Sequence, residues 1–197
     1  MTVHAVDVTG ADGGESLARY PWQAGDSVLV DRGDHQPQVI LDRCARGVEA
    51  IVRVNPTAMP VFARSGEADV FDPAAVRLEV AASLRACTDD TIRLPVWRRA
   101  PQASGPGWRY AVRLPPEAAE AARRRCRKTA QRNGRTPSDA TRFLAGWVMV
   151  FTTVAPETLD GPTVLALSRC RWPVALAFKR LQSRLDLDTL RTPQNSR

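Results

Sequence analysis

The feature that most constrains the fold is a strand, a helix and a second strand in close succession. Ser27-Val28-Leu29-Val30 is a short apolar run of the kind found in fully buried strands. Pro37 to Arg46 shows helical spacing of apolar residues, and Gly47 is placed to end that helix. Glu49 to Val54 is the next strand candidate. Since parallel strands need a long crossover connection, this order predicts an α/β core with a parallel pair.

Weaker signals precede this unit. Val3 to Val8 alternates apolar and other residues, which indicates a strand with one buried face. Glu15 to Tyr20 could form a short helix, and Gly25-Asp26 is typical of a turn. The sequence up to residue 54 is therefore assigned to the core.

The middle of the chain differs in character, because six prolines interrupt it between residues 55 and 115. Ile92–Trp97 and Trp108–Leu114 are short strand candidates within it. We interpret this segment as a β-rich insertion between core elements.

The last part returns to longer elements. Pro115-Pro116-Glu117 is a typical helix start, with proline and an acid in the first turn, and Gly134 ends that helix. Phe143 to Thr153 is predicted to be a buried strand, and Gly161-Pro162-Thr163 opens a final helical region. The predicted organisation is a core start, an insertion, a basic helix with a core strand and a final helix, and a polar tail: residues 1–54, 55–115, 116–190 and 191–197.

The net charge of +7 and the isoelectric point near 10.0 favour a polyanionic partner. Only two of the 28 basic residues are lysines, and this arginine bias is expected of a GC-rich coding sequence whatever the function. The charge by itself therefore leaves a nucleic-acid partner open.

The cysteines are far apart, with no Cys-x-x-Cys pair, and only two histidines are present. A structural zinc site needs four clustered ligands, so reduced thiols in a cytoplasmic protein are the simpler interpretation. The start of the chain lacks the pattern of a signal peptide, and the longest apolar stretch, Phe143 to Val154, is too short to span a bilayer. We therefore expect a cytoplasmic location and no membrane partner.

Asp31 ends the buried strand and begins a loop that contains Gly33. A carboxylate in that position commonly holds a divalent metal. It equally serves to cap the strand and begin a turn. Position alone does not separate these two roles.

The densest charge patch is Arg123 to Lys128, followed by Arg132 and Arg135. These arginines spread around the predicted helix, and cations near a helix C-terminus are favourable in any case. A solvated helix face is one interpretation, and a helix that contacts phosphates is the other.

Three stretches carry a resemblance to a known family. The run from Gly25-Asp26 through the apolar strand to Asp31-Arg32-Gly33 is similar to the segment around the second catalytic aspartate of bacterial insertion-sequence transposases of the IS-four type. The strand end Arg53-Val54-Asn55 also matches. Arg171-Trp172-Pro173-Val174-Ala175-Leu176-Ala177-Phe178-Lys179 resembles the family's signature helix. On its four chemical positions this chain has Ser168, Arg171, Ala175 and Gln182.

The resemblance implies part of a ribonuclease-H-like core, a mixed sheet flanked by helices, with a β-rich insertion. In such DDE transposases three carboxylates hold two Mg²⁺ ions for an in-line phosphoryl displacement on DNA. Asp31 matches the second carboxylate, so it is the implied catalytic and metal-binding residue. The glutamate position is Ala175, which offers no ligand oxygen.

No residue matches the first carboxylate, because Asp7 lies too close to Asp31 to leave room for the two strands between them. We interpret Met1–Thr9 as the third core strand, which implies a chain truncated at its N-terminus. With two of the three metal carboxylates absent, the resemblance predicts a transposase fragment that does not catalyse transposition.

The resemblance also implies DNA-binding residues and partners. Arg32, Arg171, Lys179 and Arg180 would contact DNA phosphates at the ends of the element, although Arg171 is also consistent with a solvated arginine. The chain would act as a homodimer or together with intact transposase. A non-catalytic basic DNA-binding protein and an inert remnant are the alternatives.

Overall fold

The computed structural model describes residues 17–30, 36–54, 59–65 and 70–169. Its strands are β1 (Ser27–Val30), β2 (Glu49–Arg53), β3 (Val61–Ala63), β4 (Thr91–Arg99), β5 (Ser104–Arg113) and β6 (Trp147–Thr152). Its helices are α1 (Pro37–Cys44), α2 (Val80–Ala86), α3 (Pro116–Arg132), α4 (Asp139–Leu144) and α5 (residues 161–169), with a 3-10 turn at Leu17–Arg19. The strands form one mixed sheet in the order β1-β2-β6-β5-β4-β3. The predicted α/β class is therefore confirmed.

The predicted strand–helix–strand unit is present as β1, α1 and β2. β1 and β2 are parallel, with Val30 opposite Val52. Gly25 and Gly47 both have positive φ, 91° and 86°, a conformation that glycine adopts without steric cost. The Gly25 N–H donates to the Gly47 carbonyl oxygen at 2.8 Å. These two turns bring the starts of the two strands together.

Both strand candidates of the middle segment are confirmed in longer form, as β4 and β5. They pair antiparallel along their whole length, and β5 also pairs with β6, which in turn pairs with β2. Pro95 is tolerated within β4 because β3 pairs only with Val96 to Arg98, beyond the proline. The strands of this segment continue the core sheet, while the boundaries of the insertion stay a prediction.

The two faces of the sheet carry separate hydrophobic clusters. We call the side covered by α1, α2 and α4 the first face and the side covered by α5 the second face. The first-face cluster joins helix and sheet residues, among them Ile40, Leu84, Leu144, Val52 and Phe151. The second-face cluster joins Ile51, Tyr110, Val150, Val154, Val164 and Leu165. The side chains alternate between the clusters along β2 and β6, as the pleat requires.

The strand predicted at Phe143 to Thr153 is wrong in its first part. Phe143 and Leu144 end helix α4, and the strand begins only at Trp147. The reason is local: the Ser138 hydroxyl accepts a hydrogen bond from the Thr141 N–H at 3.2 Å, which caps α4. The apolar run therefore divides into a helix end and a strand.

Replacing Ser138 by alanine is expected to lower the free energy of unfolding by about 1 kcal/mol, because the Thr141 N–H loses its acceptor. Thermal denaturation followed by circular dichroism measures the loss. Ser138→Asn retains a capping oxygen and should melt close to the wild type. Equal melting of the alanine variant and the wild type would show that the cap contributes no stability.

Candidate functional site

The structure places the surroundings of the predicted site rather than the site residues themselves. Asp31 and Arg32 follow the last residue of β1 and lie outside the described residues, as do Arg171, Lys179 and Arg180. Ala175 and Gln182 also lie outside them. The described parts that lead to these positions are β1 on one side and α5 on the other.

These two leading elements meet on the second face of the sheet. Leu29 of β1 packs against the cluster that contains Val164 and Leu165 of α5. Leu29 is two residues before Asp31, and α5 is the start of the region that carries the signature positions. The predicted carboxylate strand and the predicted signature helix therefore approach each other through shared packing.

Helix α5 begins where the sequence indicated. The Asp160 carboxylate accepts a hydrogen bond from the Thr163 N–H at 2.8 Å. Hydrogen bonding to the Thr163 side chain, and then to this N–H, lowers the pKa of Asp160. Val164 and Leu165 then face the sheet. The cap fixes the start of the helix, and the two apolar residues fix its buried side.

Ser168 occupies the first of the four signature positions. It is 4% exposed, and its hydroxyl donates to the Leu165 carbonyl oxygen at 2.8 Å. A hydroxyl that is buried and bonded to its own helix cannot reach a ligand. Ser168 therefore belongs to the packing of α5 against the sheet.

Arg53 is a functional candidate that the sequence reasoning did not single out. It ends β2 one residue beyond the Val30–Val52 pair, opposite Val150 of the second-face cluster. Arg53 is partly exposed, and its side chain makes no hydrogen bond or ion pair within the described part of the chain. Its position at the carboxyl end of the strand next to β1 was the available signal. An arginine there can bind an anion near the predicted site.

The first face holds two buried arginines that no sequence pattern predicts. Arg98 is 3% exposed and Arg109 is 0% exposed. Arg98 Nη1 donates to the Pro60 carbonyl oxygen at 3.1 Å, and Arg109 Nη2 donates to the Met59 carbonyl oxygen at 3.2 Å. Among the described residues, the Nε and Nη1 atoms of Arg109 have no hydrogen-bond partner.

The burial of these arginines has an electrostatic cost. Burial lowers the pKa of Arg98 to about 10. Burial, together with the charge of Arg98, lowers the pKa of Arg109 to about 10 as well. A buried guanidinium loses hydration, and for Arg109 the hydrogen bond to the Met59 carbonyl oxygen replaces only part of it.

Replacing Arg109 by methionine, which has a similar volume, is expected to raise the free energy of unfolding by about 1–4 kcal/mol. The gain should shrink above about pH 10, because the unfolded chain then binds more protons at position 109 than the folded chain, and folding of the wild type becomes more favourable. Urea denaturation across pH measures both effects.

The control for this prediction is Arg113→Met on the same strand. Arg113 is exposed and its Nε lies 3.2 Å from an Asp90 carboxylate oxygen, so its replacement should change stability by at most about 1 kcal/mol. An Arg109→Met variant less stable than the wild type would contradict the expectation.

Within the described ranges, no group of three or more His, Cys, Asp or Glu side chains is arranged to hold a metal. Cys44, Cys87 and Cys126 are free thiols there, and burial raises the pKa of Cys44. Over the same ranges, no helix has both the length and the apolar character needed to cross a membrane.

The chain is similar in sequence to known transposases. It is 27% identical over 195 residues to the "Putative transposase InsL for insertion sequence element IS186A" of Escherichia coli strain K12 and to the "Transposase for insertion sequence element IS421" of Escherichia coli. Each alignment covers 95% of this chain and 50% of the relative, so the chain spans about half the length of the curated relatives it matches. No protein-family model and no solved structure matches. The chain is therefore related, over most of its length, to transposases of bacterial insertion sequences.

Proposed function

We propose that this chain is a fragment of a DDE transposase of the IS-four type that binds DNA and does not catalyse transposition. The packing of Leu29 against the cluster that contains Val164 and Leu165 is the observation that supports this most. It joins the strand that precedes Asp31 to the helix that precedes Ala175. In a ribonuclease-H-like active site the second and third carboxylates approach each other from such a pair of elements.

The chemistry of position 175 is the basis for inactivity. In-line phosphoryl transfer by two Mg²⁺ ions depends on carboxylates that fix both metals. Alanine supplies no oxygen at the glutamate position, and the described residues contain no cluster of acids or histidines that replaces it. The residues present do not fit a pair of magnesium ions, so we assign no metal-dependent step to this chain.

DNA binding rests on charge and on the placement of arginines. The chain carries a net charge of +7. Arg53 lies beside the end of β1, near the start of the segment that contains Arg32. We propose that Arg53 contacts a phosphate on the second face, and that Arg32 and Arg171 also contact phosphates. Lys179 and Arg180 would add electrostatic attraction.

Titration of the purified chain with a labelled DNA duplex, over a series of salt concentrations and with or without Mg²⁺, tests this function. We expect binding that weakens steeply with salt and no nicking of the DNA. Nicking that requires Mg²⁺ and is lost in Asp31→Asn would refute the inactivity. A broad, uncooperative melt together with no DNA binding would instead indicate an inert remnant.

A further inference from the structure

Helix α3 is attached to the rest of the fold along a narrow side. Of its 17 residues only Ala119 is fully buried, and the helix lies against α4. Ala122, Cys126 and Ala130 are partly buried and recur with Ala119 on one side at helical spacing. The packed side of α3 is therefore a strip of small side chains.

Part of the charge of α3 is neutralised within the helix. Glu120 forms ion pairs with Arg123 at 3.8 Å and with Arg127 at 3.1 Å. These two arginines are about half exposed and lie to one side of the packed strip. Both arginines share the single negative charge of the Glu120 carboxylate.

Four other basic residues of α3 are exposed and have no such partner. The side chains of Arg124, Arg125, Lys128 and Arg132 make no hydrogen bond or ion pair within the described part of the chain. At about 100° per residue they fall within an arc of about 100° that lies opposite Ala119. The basic residues of α3 spread around the helix only when the two arginines that pair with Glu120 are counted together with these four.

The basic residues on this arc form a row of positive charge along the helix. Arg124, Lys128 and Arg132 are four residues apart, so each is about 6 Å further along the axis than the last. The one acid of α3 on the same arc is Glu117, seven residues before Arg124, about 10 Å along the axis. We call Arg124, Arg125, Lys128 and Arg132 the basic row.

We propose that the basic row is a binding surface for the phosphate backbone of duplex DNA, an inference that rests on the DNA binding proposed above. Arginine and lysine on an unpacked helix face can each neutralise a phosphate without giving up any contact inside the fold. An anionic membrane is a poorer match, because a helix that lies on a membrane needs a free face of large apolar side chains. The apolar side of α3 is small and packed.

The experiment compares two variants that remove the same charge from the same helix. Arg124→Gln/Lys128→Gln removes two members of the basic row, and Arg123→Gln/Arg127→Gln removes the two arginines that pair with Glu120. Fluorescence anisotropy with a labelled duplex gives the affinity over a range of salt concentrations. The first variant should show a slope of log affinity against log salt that is smaller by about 1.8, since each lost phosphate contact contributes about 0.9. The second should keep a slope close to that of the wild type.

Each outcome has a distinct meaning, provided that both variants melt like the wild type. Equal slopes for the two variants, with DNA binding intact, would refute the role of the basic row and leave the proposed function standing. No DNA binding by the wild type would refute both proposals. Binding to phosphatidylserine vesicles that is lost in the first variant, with DNA binding unchanged, would identify a membrane surface instead.

Discussion

The Phe151→Ala variant is expected to lose about 4 kcal/mol of unfolding free energy, the largest effect of any substitution considered for this chain. Phe151 is 0% exposed and lies in β6, the strand that joins the parallel pair to the antiparallel strands. Its ring is part of the first-face cluster, so truncation leaves a cavity that neighbouring β strands cannot fill by moving. The melting temperature should fall by about 10 °C.

Phe151→Leu is the matched control, because it retains most of the apolar volume and should lose much less stability. Chemical denaturation gives both free energies. If the alanine and leucine variants were equally stable, Phe151 would not be packed as described. A large loss in the alanine variant alone is expected.

The Gly107→Ala variant should lose about 3 kcal/mol for the opposite reason, overcrowding. A Cβ atom added at Gly107 would lie 2.6 Å from Phe151 Cε2 and 2.7 Å from the Thr152 carbonyl oxygen. The ring is held in the core and the carbonyl belongs to the backbone of β6. Neither can move away cheaply, so the strands would have to separate.

Gly105→Ala, two residues earlier on the same strand, is the control for Gly107→Ala. Among the described residues, the one atom within 4 Å of an added Cβ there is Leu41 Cδ2, the far end of a side chain and not backbone, at 2.9 Å. The melting temperature of Gly107→Ala should therefore lie clearly below that of Gly105→Ala, and thermal denaturation measures both. If both variants had the melting temperature of the wild type, the close approach of β5 and β6 at Gly107 would be refuted.

The local elements of this fold could be predicted from the sequence, whereas their long-range partners could not. β1, α1 and β2 follow from an apolar run, a helical pattern and two glycines, all signals carried by neighbouring residues. The sequence predicts Trp147 to Thr152 as a strand, but its place between β2 and β5 depends on residues roughly 40 to 100 positions away. The capped helix α4 was missed because its apolar end, Phe143-Leu144, merges with the strand pattern.

The buried arginines show a second limit of sequence reasoning. Alternation in β5 places Arg109 on the opposite face from Trp108 and Tyr110, but nothing local indicates which face is covered. Only the sheet order and the path of Met59 and Pro60 bury Arg109 completely. The signal for burial was therefore non-local.

Part of the candidate site could be predicted from the sequence. The resemblance named Asp31 and Ala175, and the described residues add that the elements leading to both positions share the second face. Arg53 and the basic row needed the structure, because their significance depends on strand register and on which charges are already paired. Those are three-dimensional relations that spacing alone does not give.

The most direct test of the account restores a carboxylate at position 175. The Ala175→Glu variant is titrated with Mn²⁺, and binding is followed by the paramagnetic relaxation of water protons, beside the wild type and Asp31→Asn/Ala175→Glu. If Asp31 and position 175 face each other as proposed, Ala175→Glu should gain a Mn²⁺ site that the wild type lacks and that disappears in the double variant. An identical Mn²⁺ response in all three proteins would contradict the proposed pairing of strand end and helix.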